Sequence, residues 1–186
     1  LDEYIQACED DMKTALEQLG RDLGKVRTGR ASTKMLDSVQ VEVKSYGAVM
    51  PITQLATIQA PDARLLTVTP WDKTTIKDIE RAIVEEGLGL NPANDGQLIR
   101  VPVPPLTADR RKALTRTVQQ TGEETKVRVR AVRREYNEML KQMEKDKELS
   151  EDDLRKGLER VQDLTNQYVG QVDKVCAQKE QEINEV

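Results

Sequence analysis

Apolar residues recur at helical spacing over both flanks of the chain and alternate only in its middle. Ile5, Cys8, Met12, Ala15 or Leu16, Leu19, Leu23 and Val26 step by three and four, which predicts a first long helix ending near Gly29. After Leu106 the stripe returns as Leu114, Val118, Thr121, Thr125, Val129, Val132, Tyr136, Met139 and Met143. Thr107 stands where an N-cap is needed, Asp109 suits the first turn, and no proline interrupts the run to about Lys147. The stretch from Thr121 to Thr125, with Gly122, is weakly apolar and is expected to bend or pack loosely. Ser150 with Asp153 three residues on has the form of a capping box, and Leu154, Leu158, Val161, Tyr168, Val172, Val175 and Ile183 continue a period near 3.5. Three such stripes bury one another when neighbours run antiparallel, so the flanks predict an elongated up-down-up three-helix bundle.

The middle differs in kind. All seven prolines lie between Pro51 and Pro105. Val39, Val41 and Val43 alternate with polar residues, Tyr46-Gly47 turns the chain, and 55–60 and 65–69 are short β-rich runs broken at Pro61-Asp62. From Asp72 to Gly87 the period changes to Ile76, Ile79, Ala82 and Ile83, one amphipathic helix ended by glycine. Asn94-Asp95-Gly96 then turns a further hairpin that ends near Val103. The fold class is therefore α+β: residues 1–29 and 106–186 form the bundle, and residues 30–105 form a small inserted α+β domain. The chain crosses between them twice, at Gly29, Arg30, Ala31 and Ser32 going out and at Pro102, Val103, Pro104 and Pro105 coming back. These eight residues are the expected hinge, with Pro104-Pro105 a stiff, extended spacer.

Composition then removes chemistries. Histidine and phenylalanine are absent, so no Ser-His-Asp or Cys-His pair exists, and two cysteines cannot complete a thiolate metal site. The adjacent carboxylates Glu85-Glu86 and Asp152-Asp153 point in different directions on a helix and make no acid-base pair. The expectation is a protein with no catalytic residue, no metal and no cofactor. No run of about 20 apolar residues is present, and the acidic N-terminus has no targeting layout, so a membrane is not expected as a partner. Cys8 and Cys176 fall near opposite ends of the predicted bundle and should not be bridged.

Net charge is −4, but it is unevenly distributed: residues 107–134 carry +6 and residues 135–186 carry −6. Lys126, Arg128, Arg130, Arg133 and Arg134 occur without one acid among them, and Lys126, Arg130 and Arg133 share a helix face expected to aim at solvent. Lys25, Arg27, Arg30 and Lys34 surround the outgoing crossing, and Arg110, Arg111 and Lys112 begin the second long helix. A charge run is ordinarily a solvated face. Like charges held on one face of an otherwise acidic chain repel, however, and an anionic partner relieves that cost. Arginine outnumbers lysine seven to two in residues 107–134, and guanidinium grips phosphate in a fixed, two-pronged geometry. Aromatic residues for base stacking are missing from this stretch apart from Tyr136, so backbone and shape recognition of structured RNA is expected. The competing readings are a helical scaffold that binds an acidic protein, and a metal-dependent nuclease, for which no carboxylate cluster speaks.

Several motifs together resemble the ribosome recycling factors. Val26-Arg27-Thr28-Gly29-Arg30-Ala31-Ser32 is similar to that family's outgoing hinge, and 88–92 with Ile99-Arg100-Val101-Pro102-Val103-Pro104-Pro105-Leu106-Thr107 to its return. Arg110-Arg111-Lys112, the 127–134 segment and Lys145-Asp146-Lys147-Glu148 follow in family order. The resemblance implies an L-shaped monomer that binds the ribosome through large-subunit rRNA. It further implies that elongation factor G, hydrolysing GTP itself, drives the small domain so that the subunits part and messenger and transfer RNA leave. Arg130 and Arg133 inherit the leading RNA-binding roles, followed by Arg27, Arg30, Lys126 and Arg134, and then Arg110. The compartment implied is the bacterial cytoplasm, or an organellar stroma or matrix where a transit peptide has been removed.

Overall fold

The computed structural model describes residues 1–185. The chain divides into two units, residues 1–28 with 107–185 and residues 29–106.

The first unit holds three long helices, α1 (Asp2–Gly24), α3 (Ala108–Lys145) and α4 (Glu151–Asn184), each packed against the other two. The second holds one short helix, α2 (Ile76–Glu85). Thr107 caps α3 by accepting from the Arg110 N–H at 3.2 Å, and Ser150 caps α4 by accepting from the Asp153 N–H at 3.0 Å. Between α3 and α4, Lys147 adopts φ 62°, a left-handed position that usually falls to glycine, and the N–H groups of residues 146–149 close back on the last turn of α3. The bundle core runs through Cys8, Met12, Val129, Tyr136, Leu140 and Val161. Two buried phenols anchor α1 from its acidic side: Tyr136 donates to Asp11 at 2.6 Å and Tyr168 to Glu9 at 3.2 Å.

Three expectations about the bundle change. The first helix stops at Gly24, five residues early, because β-branched Val26 and Thr28 follow a weak glycine turn and the Lys25 and Val26 N–H groups bond back to Asp22 and Leu23 in a tight turn. Met139 is 38 % exposed while Leu140 is buried, because Leu140 lies one helical turn on from Tyr136 and takes the core position. The segment from Thr121 to Thr125 is not loose. Gly122 and Thr125 are buried, and a Cβ built on Gly122 would stand 2.6 Å from the Cys176 Sγ. A small residue here lets α3 and α4 approach. Both thiols are free: Cys8 packs with the Tyr136 and Leu140 layer, and Cys176 beside Val118 and Gly122.

The second unit contains a two-stranded sheet, β1 (Gln40–Val43) with β2 (Ala48–Pro51), and a four-stranded antiparallel sheet in the order β3 (Ala56–Asp62), β4 (Leu65–Pro70), β6 (Ile99–Pro102), β5 (Ala93–Asn94). The inward valines of β1, with Leu66, Val68, Ile99 and the apolar face of α2, make its core. Pro61 was expected to break the chain into two runs, yet it lies inside β3. The pairing with β4 shifts register between Gln59 and Asp62, and such an irregularity on an edge strand accommodates a residue with no N–H to give. The turn falls at Ala63-Arg64 instead. At the 94–96 turn, the Asp95 carboxylate accepts from the N–H groups of Gln97 and Leu98 and pairs with Arg100 at 2.9 Å.

Candidate nucleic-acid interface

Helix α3 carries most of the cationic side chains that the sequence singles out, in two groups. Arg130, Arg133 and Arg134 lie on consecutive turns, and Arg110 begins the helix twenty residues earlier, about 30 Å away along the axis. Arg130 and Arg133 are half-buried, which is how long cationic stems lie along a helix surface while their heads stay wet; Arg128 and Arg134 are exposed. None of these four arginines forms an ion pair or hydrogen bond among the described residues. Three cations of α4 differ. On α4, Arg155 and Lys156 both pair with Asp152, and Arg160 reaches Asp2 of α1 at 2.6 Å. Acids are available, and the α3 arginines are placed away from them.

Lys126 departs from the expected solvent-facing arrangement. Its ammonium binds Asp173 of α4 at 2.5 Å and Glu123 at 3.3 Å, with the side chain only 16 % exposed. These carboxylates, Asp173 first, hold its pKa above the ordinary lysine value. Lys126 lies one turn before Arg130 on α3 and its side chain is folded onto α4, so it closes a bridge within the protein.

Arg27 and Arg30 are exposed, Arg27 in the first unit and Arg30 in the second. The expected hinge residues are not equally loose. The Ala31 N–H donates to the Ala63 carbonyl at 2.7 Å and the Val103 N–H to the Arg64 carbonyl at 2.8 Å, so the tip of the β3–β4 hairpin ties down both crossings. Ser32 caps a short 3₁₀ turn by accepting from the Lys34 N–H, and Pro102 closes β6. Residues 27–30 and 104–106 are left outside any helix or strand. Within that stretch Gly29, at φ +80°, packs against Leu106 so closely that a Cβ would lie 3.2 Å from the leucine Cγ.

The family model for ribosome recycling factor matches residues 19–183. The chain belongs to the ribosome recycling factor family. Among curated relatives it is 52 % identical to the ribosome-recycling factor of Halalkalibacterium halodurans over 99 % of this chain and 98 % of that one. It is 45 % identical to that of Oleidesulfovibrio alaskensis over the full length of both. The solution structure of a ribosome recycling factor matches with a TM-score of 0.71 and 41 % identity, covering 100 % of this chain and 97 % of that one. A Thermus thermophilus recycling factor, in models with Escherichia coli elongation factor G bound to the E. coli post-termination complex, matches with a TM-score of 0.60 and 40 % identity, covering 99 % and 98 %. Recycling factors therefore share the α+β architecture of this chain from end to end.

Two features escaped sequence reasoning. Asn137, one turn beyond Arg133, has a buried Oδ1 without a hydrogen-bond partner among the described residues, and Arg111 has a buried Nε in the same condition. Arg111 stood in the basic run at the start of α3, but only the packed structure separates it from Arg110. No helix among the described residues is long and apolar enough to cross a membrane.

Proposed function

We propose that this chain recycles ribosomes after termination. The unpaired arginines of α3, Arg130 and Arg133 first with Arg134 beside them, bind large-subunit rRNA through its phosphates. Arg27, Arg30 and Arg110 extend that contact, and Lys126 contributes through its charge alone, because its ammonium is already held by Asp173. Elongation factor G, using the GTP that it hydrolyses, drives the small unit about a pivot at residues 27–30 and 104–106. The subunits then part and messenger and transfer RNA leave. The chain acts as a monomer in the bacterial cytoplasm, makes and breaks no covalent bond, and needs no cofactor of its own.

The observation that carries the RNA reading is a contrast in pairing: Arg155, Lys156 and Arg160 of α4 have acidic partners within the bundle, and Arg128, Arg130, Arg133 and Arg134 of α3 have none among the described residues. Phosphate contacts release counterions, so the test is salt dependence. Arg133→Gln should weaken ribosome binding and lower the log-log salt slope by about 0.7 to 0.9. Unchanged binding at every salt concentration would remove Arg133 from the interface. A splitting assay with and without elongation factor G and GTP tests the rest, and splitting that ignores the factor would refute the driven pivot.

A further inference from the structure

Two aromatic side chains of the small unit stay in solvent: Trp71 is 65 % exposed and Tyr46 49 %. The sheet explains the first. Along β4, Leu66, Val68 and Pro70 turn inward, so Thr67, Thr69 and, just past the strand, Trp71 turn outward. Asn94, opposite the buried Ile99 in the ladder, donates to Glu80 of α2, so α2 covers the inward face and Trp71 stands on the uncovered one. Its indole Nε1 donates at 3.0 Å to the hydroxyl of Thr57, which lies opposite Thr69 on β3, so the ring leans across two strands. Tyr46, in the β1–β2 turn, donates to Asp72 at 2.5 Å, next to Trp71 in the chain.

Both rings therefore have their polar ends satisfied within the fold and are held in fixed orientations. Only their flat faces remain for a ligand. The surroundings are cationic. Lys44, Lys73 and Lys77 are exposed, and no side-chain hydrogen bond or ion pair holds them among the described residues. Lys73 is two residues from Trp71. The Lys44 N–H donates to Asp78 at 3.2 Å, which brings the β1–β2 turn against the first turn of α2, where Lys77 lies. The carboxylates between them are engaged: Asp72 accepts from Tyr46 and Thr74, and Asp78 from Arg81 as well as Lys44. The three ammonium groups are left for an anion.

We propose that this end of the small unit binds single-stranded nucleic acid, with one base stacked on Trp71, a neighbouring base on Tyr46, and phosphates on Lys44, Lys73 and Lys77. Ring faces beside unpaired cations match such a strand, because every base offers a π-face and every nucleotide a phosphate. An acidic peptide answers the lysines and leaves the rings bare. Duplex RNA does the same, its bases being stacked on one another already. The site belongs to a different unit from the α3 arginines and does not rest on the ribosomal reading above.

Trp71 is the only tryptophan, so its fluorescence reports the platform alone. The experiment titrates the full chain at low salt with a single-stranded dodecamer of uridylate. Emission should fall and saturate. An RNA duplex of the same length and polyglutamate, each at equal charge, should leave it nearly unchanged. Lys73→Gln with Lys77→Gln should raise the midpoint by on the order of tenfold and lower the log-log salt slope by about 1.4. Lys34→Gln with Arg64→Gln, which remove the same charge at the far end of β4 where Ala31 meets Ala63, should shift the midpoint little. Tyr46→Leu should weaken binding by about fivefold or more, and Tyr46→Phe, which keeps the ring and loses the bond to Asp72, should retain most of it. Emission that does not change, that drifts without saturating, or that falls equally with the duplex overturns the proposal. So does equal sensitivity of the two charge-removing pairs. An equal response to polyglutamate overturns it in favour of an acidic protein, and equal losses in the two Tyr46 variants remove Tyr46 from the platform.

Discussion

Replacing Gly122 by alanine should destabilise the bundle, and removing the Cys176 sulfur should reverse the sign of that change. The added Cβ would meet Sγ at 2.6 Å, more than an ångström inside ordinary contact, while the Cys176 Cβ and the Val172 Cγ1 would each stand at 3.9 Å. The sulfur alone is therefore in the way. Overpacking of this kind costs about 1–3 kcal/mol, and exchanging glycine for alanine inside a helix returns about 1 kcal/mol, so Gly122→Ala should lose up to about 2 kcal/mol net. Cys176→Ala loses a half-buried sulfur whose one polar contact, to the Val118 carbonyl at 3.8 Å, is weak; about 1 kcal/mol is expected. In the double variant the clash is gone and the helix gain remains. Gly122→Ala should then stabilise by about 0.5–1 kcal/mol, and the coupling between the sites should reach about 2 kcal/mol. Urea unfolding of the four proteins, followed by far-ultraviolet circular dichroism, measures it. Trp71, the lone tryptophan, lies in the other unit, so its fluorescence reads that unit separately. Additive effects within about 0.5 kcal/mol would refute the close-approach argument.

Gly20 should behave oppositely. It is exposed inside α1 and a Cβ there would meet nothing within 4 Å, so Gly20→Ala should stabilise the bundle by about 0.5–1 kcal/mol, and a loss in urea unfolding would reveal an unseen constraint. Asp95 sets a pH dependence in the small unit. The N–H groups of Leu98 and Gln97, and then Arg100, hold its pKa down to about 2, below its unfolded value, so its contribution is present above that value and is lost as pH falls through about 2. Asp95→Ala should therefore lower the Trp71 unfolding midpoint at neutral pH, with the gap to wild type closing as pH falls toward 2; a gap independent of pH would contradict the assignment.

The bundle was legible where a local rule governs it. Thr107 and Ser150 announce the starts of α3 and α4 because an N-cap needs only its own next three residues. The confinement of proline to residues 51–105 marks the inserted unit for a similar reason. What failed depends on neighbours distant in sequence. Whether Gly122 loosens or tightens α3 is decided by Cys176, and whether Lys126 faces solvent by Asp173, both on another helix. The arginines were visible as a charge pattern, but which of them lack partners is a property of the packed bundle. Arg110 and Arg111 are adjacent in sequence, and only the arrival of Asn184 at the end of α4 makes one of them line a groove. The crossings also looked wider than they are, because the carbonyls of Ala63 and Arg64 that fasten Ala31 and Val103 carry no signature in their side chains.

The contact between Gly29 and Leu106 has a consequence for how such a chain evolves. A segment that begins and ends at one point is a cassette: it adds no span of its own, so loops within it can lengthen, shorten or be rebuilt without changing the distance the flanking chain must bridge. Residues 29–106 can be exchanged for a foreign domain whose termini also touch, with no redesign of the helices that host it. Diversification of the one part is thereby released from the sequence requirements of the other.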